Sequence, residues 1–364
     1  FGFDEWLSHD NFFEMDPVLS RNGAAPKKIK GEGSQVIIDE TIRFIGNAKK
    51  SEKPFFAVVW FGSPHEPYSG LPEDLALYDD LPESYQKRSV KLTSNETGKP
   101  VTRRFDKVLR ERFAEITAMD RSIGKLREYL QHEGLKQNTL LWYCGDNGVP
   151  ESGRVATPFR GQKGLVYEGG IRVPGVIEWP ERIPKPAVSS VNSVTSDMLP
   201  TICDLIELPL PNRTLDGVSL KPLIDGKMTS RPKPICFWNY DTAHELKRLD
   251  AKPWIDPALQ VGTTPLVKMM DGRFTRNFQN LHHPKIVEED FHGSRAILDN
   301  HYKLVVSGEG DESVKELFDL KEDPAETKNL LKSKPEVAAK LSRDLRDWQQ
   351  SVLTSLTGAD YGKP

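Results

Sequence analysis

The chain has 364 residues, 37% of them apolar and 28% charged, an ordinary composition for a folded protein and neither a fibrous nor a disordered one. Lysines and arginines number 50 against 53 aspartates and glutamates, so the formal charge is −3 and there is no footprint for nucleic acid or an acidic membrane surface. The longest apolar runs fall far short of the ~18 residues a membrane span needs, the three cysteines rule out a disulfide scaffold, and roughly 150 residues per domain predicts about two domains.

Phe1 opens the chain where a start methionine would stand, and Gly2-Phe3-Asp4-Glu5-Trp6 reads as the interior of a longer or processed polypeptide. Residues 7–34 are rich in turn formers (Asp16-Pro17, Asn22-Gly23, Gly31 to Gly33) and read as loop. Ile37, Ile38, Ile42, Phe44 and Ile45 then predict a helix from Ser34 to about Lys49. The unbroken apolar run Phe55 to Phe61 predicts a strand buried on both faces, as in a parallel sheet, ending at Gly62-Ser63-Pro64-His65-Glu66-Pro67. Residues 68–102 are polar and read as a surface excursion. Phe105, Val108, Leu109, Phe113, Ile116, Met119, Ile123, Leu126 and Leu130 recur at helical spacing, and Gly134 supplies a stop. Thr139 to Cys144 predicts a second buried strand running into Gly145-Asp146-Asn147-Gly148. If the two strands are parallel neighbours, His65 and Asp146-Asn147 meet at one sheet edge, where open α/β sheets hold their ligands.

The stretch Leu223 to Pro234 reads as a boundary. After it come short strand candidates at Ile235 to Trp238, Ser294 to Leu298, Lys303 to Val306 and Glu316 to Leu320, and then a helix. Ser333 and Glu336 have the spacing of a capping box, Pro335 sits in the first turn, and Val337, Leu341, Leu345, Trp348 and Val352 line one face. Strands followed by an amphipathic helix predict a small α+β domain.

Asp146-Asn147 presents two oxygen donors of the kind that Ca²⁺ or Mg²⁺ prefers, although Asp-Asn-Gly is also a common turn. His65, framed by two prolines, suits a proton donor or an anion contact, or else is a loop histidine satisfied by a carbonyl. Lys163, between Gly161 and Gly164, could meet an anion closely, or could simply be solvated. The segment lacks the spacing of a nucleotide phosphate loop. His282 and His283 are adjacent, so in a strand they point to opposite faces and make a poor ligand pair. His244 and His292 have no supporting pattern. Asn95-Glu96-Thr97 and Asn212-Arg213-Thr214 match glycosylation sequons, a short motif with frequent chance matches. Neither G-x-S-x-G nor H-E-x-x-H occurs.

Taken in order, eight segments resemble the type I, formylglycine-dependent sulfatases of the alkaline phosphatase superfamily. They are Gly2 to Trp6, Pro64 to Pro67, Thr117 to Gly124, Cys144 to Gly148, Gly161 to Gly164, Glu168 to Pro174, Asp216 to Leu220, and Glu316 to Leu320 with Asp323-Pro324. The resemblance implies an α/β fold over residues 1–228, with a central mixed sheet flanked by helices and its N-terminal strands missing. A smaller C-terminal α+β domain, with antiparallel strands and a terminal helix, would fill 229–364. It implies Asp146 and Asn147 as ligands of a divalent ion, usually calcium, with His65 and Lys163 touching the sulfate ester. It implies hydrolysis of sulfated carbohydrates, with aryl sulfates as surrogates, and a secreted or periplasmic location.

The sequence also departs from the family. None of Cys144, Cys203 or Cys236, and no serine, sits in the C/S-x-P-x-R frame from which formylglycine is made. The paired N-terminal aspartates and the G-K-W-H segment are missing too. Truncation accounts for all three, and the expectation is a chain inactive by itself whose nucleophile lies upstream. The alternatives are a phosphodiesterase or phosphonate hydrolase of the same superfamily, and a non-catalytic binding relative.

Overall fold

A computed structural model describes residues 2–10, 15–93, 99–240, 269–270, 273–274, 285–308 and 313–360. The chain folds as two units, one built on Phe1–Lys136 and the other beginning at Gln137.

In the first unit, residues expected as loop form short antiparallel strands β1 (Leu7–Ser8), β2 (Val18–Arg21) and β3 (Lys27–Lys28). Helix α1 (Gly33–Lys50) forms where the apolar periodicity puts it. Its start is fixed by Glu32, whose carboxylate accepts from the amides of Ser34 at 3.1 Å and Gln35 at 2.9 Å, satisfying two orphan donors. Short helices α2 (Pro72–Ala76) and α3 (Glu83–Gln86) and the antiparallel pair β4 (Ser89–Thr93) and β5 (Pro100–Arg104) occupy the polar excursion. The spine is α4 (Phe105–His132), which buries Phe105, Val108, Leu109, Met119, Leu126 and Leu130 against α1 and α2. It stops as expected: Gly134 takes φ +72°, and the Leu135 amide reaches back to the Leu130 carbonyl at 2.9 Å.

Residues 54–61 correct the sequence reading. They are extended, but no described residue pairs with their backbone, and Phe56, Val58 and Trp60 are 57%, 44% and 83% exposed. An unbroken apolar run states that burial is favourable; it does not supply the covering strand. The second predicted strand, β6 (Leu141–Cys144), pairs antiparallel with β7 (Gly175–Glu178), and every ladder among the described residues is antiparallel.

In the second unit, α5 (Glu168–Ile171), α6 (Met198–Leu205) and α7 (Lys221–Ile224) lead to β8 (Ile235–Trp238). A two-residue ladder, β9 (Met269–Met270) with β10 (Arg273–Phe274), follows in the chain but is counted with the first unit. Strands β11 (Arg295–Asp299), β12 (Tyr302–Ser307) and β13 (Val314–Asp319) join β8 in a four-stranded antiparallel sheet of order β13-β12-β11-β8. Strands β8, β11, β12 and β13 and the terminal helix follow residue 228, and the division into units falls after Lys136.

The two faces of this sheet do different jobs. Ile297, Leu304, Val306 and Leu317 pack on α8 (Pro335–Leu356) through Ala338, Leu341 and Leu345. The alternate residues Ala296, Val305 and Phe318 pack on Val166, with Tyr167 beside them. The capping box expected for α8 does not form: Lys334 is the cap residue, and the Ser333 hydroxyl donates to the Leu330 carbonyl at 3.1 Å. No described helix is long and apolar enough to cross a membrane.

Candidate active site

The first unit holds His65. Its amide donates to the Gly62 carbonyl at 3.0 Å, and its Nδ1 donates to the Glu66 carbonyl at 2.8 Å. A carbonyl only accepts, so Nδ1 carries a proton and Nε2 is the acceptor of the neutral ring. The prolines on either side follow cis peptide bonds. The segment beyond is gripped by α4. Ser69 donates its amide to Glu115 Oε1 at 2.7 Å, Arg112 donates to the Tyr68 hydroxyl at 2.7 Å, and Arg121 clamps Asp74 through two 2.7 Å bonds.

Glu115 and Arg112 are buried groups that sequence reasoning missed. Their signal was positional, since both lie on the stripe 108, 112, 115, 119, 122, 126 that α4 turns inward. Burial pushes the Glu115 carboxyl up to about 8, aided by the charges of Glu32 and Glu111 and opposed by the Ser69 amide.

The second unit holds Asp146, Asn147 and Lys163 and brings their loops together. The Gly148 amide donates to the Gly170 carbonyl at 2.8 Å, and the Lys163 amide donates to the Val149 carbonyl at 2.7 Å. A Cβ on Gly148 would lie 2.1 Å from the Gly169 carbonyl oxygen, and one on Gly170 would lie 2.0 Å from that of Leu165. Only glycine permits three backbones this close. The loops are thus tied through the amides of Gly145, Gly148 and Lys163, while no hydrogen bond or ion pair joins the side chains of Asp146, Asn147 and Lys163 to any described residue. Asp146 and Lys163 are exposed and Asn147 is half-buried. Rigid loops that present one carboxylate, one amide and one ammonium suit a site for a divalent ion and an anion.

As for a divalent ion, Asp146 and Asn147 offer oxygen donors of the right hardness. Among the described residues, no group of three or more His, Cys, Asp or Glu converges as a metal cage. Calcium takes six to eight oxygens, so these two fit as part of a shell and do not complete one.

Two of the three cysteines are poor nucleophiles. Burial raises the Cys144 thiol, with Asp146 adding to the effect, and burial pushes Cys236 up to about 12. His292 is buried, with Nδ1 donating to the Glu289 carbonyl at 2.9 Å. His244, His282, His283 and the sequon at Asn95 lie outside the described residues, while Asn212 is exposed.

The family model described as Sulfatase matches residues 1–208, more than half of the chain. The chain belongs to the sulfatase family. It is 27% identical over 247 residues to the N-acetylgalactosamine-6-sulfatase of Canis lupus familiaris, covering 66% of this chain and 40% of that one. It is 29% identical over 229 residues to an ulvan-active sulfatase of Formosa agariphila, covering 61% and 42%. Against arylsulfatase A of Bos taurus it is 30% identical over 231 residues, covering 61% and 39%. The chain therefore spans about two fifths of the length of these curated relatives.

Among solved structures, Ps i-CgsB superposes with a TM-score of 0.69 at 18% identity, covering 96% of this chain and 67% of that one. A protein solved with its substrate D-glucosamine-2-N,6-O-disulfate gives 0.67 at 19%, covering 96% and 76%. These likenesses establish the fold, an α/β arrangement shared with sulfatases.

Proposed function

We propose that this chain carries the metal-binding and sulfate-binding part of a sulfuric ester hydrolase acting on sulfated carbohydrates. The observation that carries the reading is the trio Asp146, Asn147 and Lys163, whose side chains form no hydrogen bond or ion pair with any described residue and which stand on glycine-locked loops in a chain of the sulfatase family. The relatives named for N-acetylgalactosamine 6-sulfate and ulvan, and the neighbour solved with a disulfated glucosamine, support a carbohydrate substrate.

A sulfate ester is a monoanion whose leaving oxygen gains charge as the S–O bond breaks. In this reading the Lys163 ammonium neutralises the sulfate oxygens, and the glycines beside it let it approach. His65 would serve the ester oxygen through Nε2, donating from the imidazolium form, with the Glu66 carbonyl fixing the ring. A divalent ion held in part by Asp146 and Asn147 would polarise the sulfate when bound.

The nucleophile belongs to the same proposal. No C/S-x-P-x-R frame occurs in these 364 residues, and the raised thiols of Cys144 and Cys236 make poor substitutes. Formylglycine would come from polypeptide outside this sequence, and the chain alone would not turn over. Residence outside the cytoplasm follows the same family resemblance.

The test is sulfate release from an aryl sulfate by the given chain and by the product of its whole reading frame, each with and without EDTA. The expected result is no release from the chain and EDTA-sensitive release from the whole product. A whole product that cleaves a phosphonate monoester and no sulfate ester would replace this reading with the phosphonate hydrolase one. A whole product that cleaves neither would leave a binding protein.

A further inference from the structure

Lys303, the second residue of β12, is fully buried, with no exposed side-chain surface. Leu304 and Val306 point to α8, so Lys303 and Val305 point to the opposite face, where Val166 and Tyr167 lie. There the Lys303 ammonium meets two buried carboxylates, Glu168 Oε1 at 2.9 Å and Glu326 Oε1 at 2.8 Å. The first contact is a hydrogen bond, and the second is a close ion pair outside hydrogen-bond alignment. Glu326 also accepts, through Oε2, the amide of Glu168 at 2.7 Å. It does so from a left-handed backbone at φ +57°, a conformation a glutamate adopts only when its surroundings hold it there. Arg172 lies 3.7 Å from the remaining oxygen of Glu168 and balances the second negative charge.

Glu168 opens α5, and α5 is the hub of the proposed site. The Gly169 amide donates to the Arg160 carbonyl at 2.7 Å, and the Gly170 carbonyl accepts from Gly148. Arg160 and Tyr167 are both tied to Glu316 of β13, at 3.0 Å and 2.6 Å. The sheet thus reaches the segment 160–170 through these charged and polar contacts as well as through the apolar packing of Ala296, Val305 and Phe318 on Val166. A hydrophobic contact could hold that segment at similar cost, since taking charges out of water is expensive. What the charged triad adds is a fixed orientation of α5, whose Gly170 carbonyl receives the Gly148 amide, while the Val149 carbonyl next along that loop receives the Lys163 amide.

We propose that Lys303, acting through Glu168 and Glu326, is a positioning residue that sets the geometry of the Lys163 and Asp146-Asn147 loops. Its value to catalysis rests on the sulfate-site reading above, but the positioning itself does not.

The experiment is amide hydrogen exchange on the full chain, comparing wild type with Lys303→Met and Glu326→Gln. The expected result is that Gly148, Lys163 and Gly169 exchange about tenfold faster or more in the variants, while the ladder amides of β11, β12 and β13 keep their wild-type rates. Equal acceleration of the ladder amides, or none at the three loop amides, overturns the proposal. Glu326→Gln removes one buried charge and leaves the Lys303–Glu168 pair, so it decides the question if Lys303→Met fails to fold. Inorganic sulfate titrated against the same samples separates the two readings. A wild type that shows the exchange pattern but no sulfate-dependent shift at Lys163 keeps the positioning role and removes Lys163 as an anion contact.

Discussion

Glu115 sits at the inner end of the His65 segment, and folding alters its chemistry strongly. Its carboxyl is raised from 4.5 to about 8 by burial, so the folded state holds a proton that the unfolded chain releases near pH 4.5. The linkage has one sign. Stability is full below pH 4.5, falls as pH rises through the window up to about 8, and is flat beyond it. The loss is on the order of a few kcal/mol across that window. Glu115→Gln keeps an acceptor for the Ser69 amide and removes the titration. Urea unfolding at pH 5 and pH 8 should show wild type losing stability while the variant holds level; parallel losses would mean that the carboxyl titrates normally. Lys163 is the contrasting case. It is exposed and its side chain forms no hydrogen bond or ion pair with a described residue, so Lys163→Ala should leave stability within about 0.5 kcal/mol. In the active whole product the same change should lower kcat/KM for an aryl sulfate by about a hundredfold or more. A full-rate variant would take Lys163 out of the site. The sequence showed Lys163 through its flanking glycines and Asp146 through its turn, because site residues are read from local spacing. It hid Glu115, Lys303 and Glu326, because a buried charge is recognised by the partner it meets, and those partners lie 46, 135 and 158 positions away.

At the scale of elements, periodicity was legible wherever the chain buries one stripe. Helices α1, α4 and α8 and strands β8, β11, β12 and β13 lie close to where apolar spacing put them. Helix ends were less so. Gly134 ends α4 as read, but Glu32 rather than a serine or threonine caps α1, and Pro335 starts α8 with Ser333 turned back to Leu330. The strongest pin between elements escaped the sequence altogether. Asp197, fully buried before α6, takes both arms of the buried Arg231 at 2.7 and 2.8 Å, and it accepts the amides of Val194 and Val218 at 2.9 Å. One carboxylate thereby fixes the start of α6, the approach to α7 and the lead into β8. Asp197→Ala strands the guanidinium in a dry site and should cost about 3–5 kcal/mol, the penalty for an uncompensated buried charge. Arg231→Ala should cost a similar amount, and the double variant should cost less than the two singles together. Additive losses in a double-mutant cycle would show that the pair is not coupled.

For the molecule as a whole, the informative feature is an extended apolar run with one face open: Phe55, Val59 and Phe61 are half-buried and Phe56 stacks on Phe3, but Phe56, Val58 and Trp60 stay largely exposed. Residues 55–61 hold no charge, no proline and no glycine, and β-branched or aromatic side chains fill six of the seven positions. Such a segment, extended and with its peptide groups unpaired by any described residue, is a template for adding another strand. The sequence read the segment rightly as material for a sheet interior. It misread the outcome, because burial belongs to a pair of surfaces and the sequence shows one of them. The given chain should therefore self-associate through this strand, since pairing satisfies its amides and removes Phe56, Val58 and Trp60 from water together. A lysine placed there opposes both gains, first by charge repulsion between copies and then by the cost of burying an ammonium. Sedimentation of the chain should show concentration-dependent oligomers that Val58→Lys shifts toward monomer, with the far-UV spectrum unchanged because this strand belongs to no ladder. In the product of the whole reading frame the direction of the effect should reverse if another strand covers the run: Val58→Lys would then lower stability by roughly 2–3 kcal/mol or more, as burial of an unpaired charge does. Stability unmoved by Val58→Lys in the longer product would mean that the run stays exposed there as well.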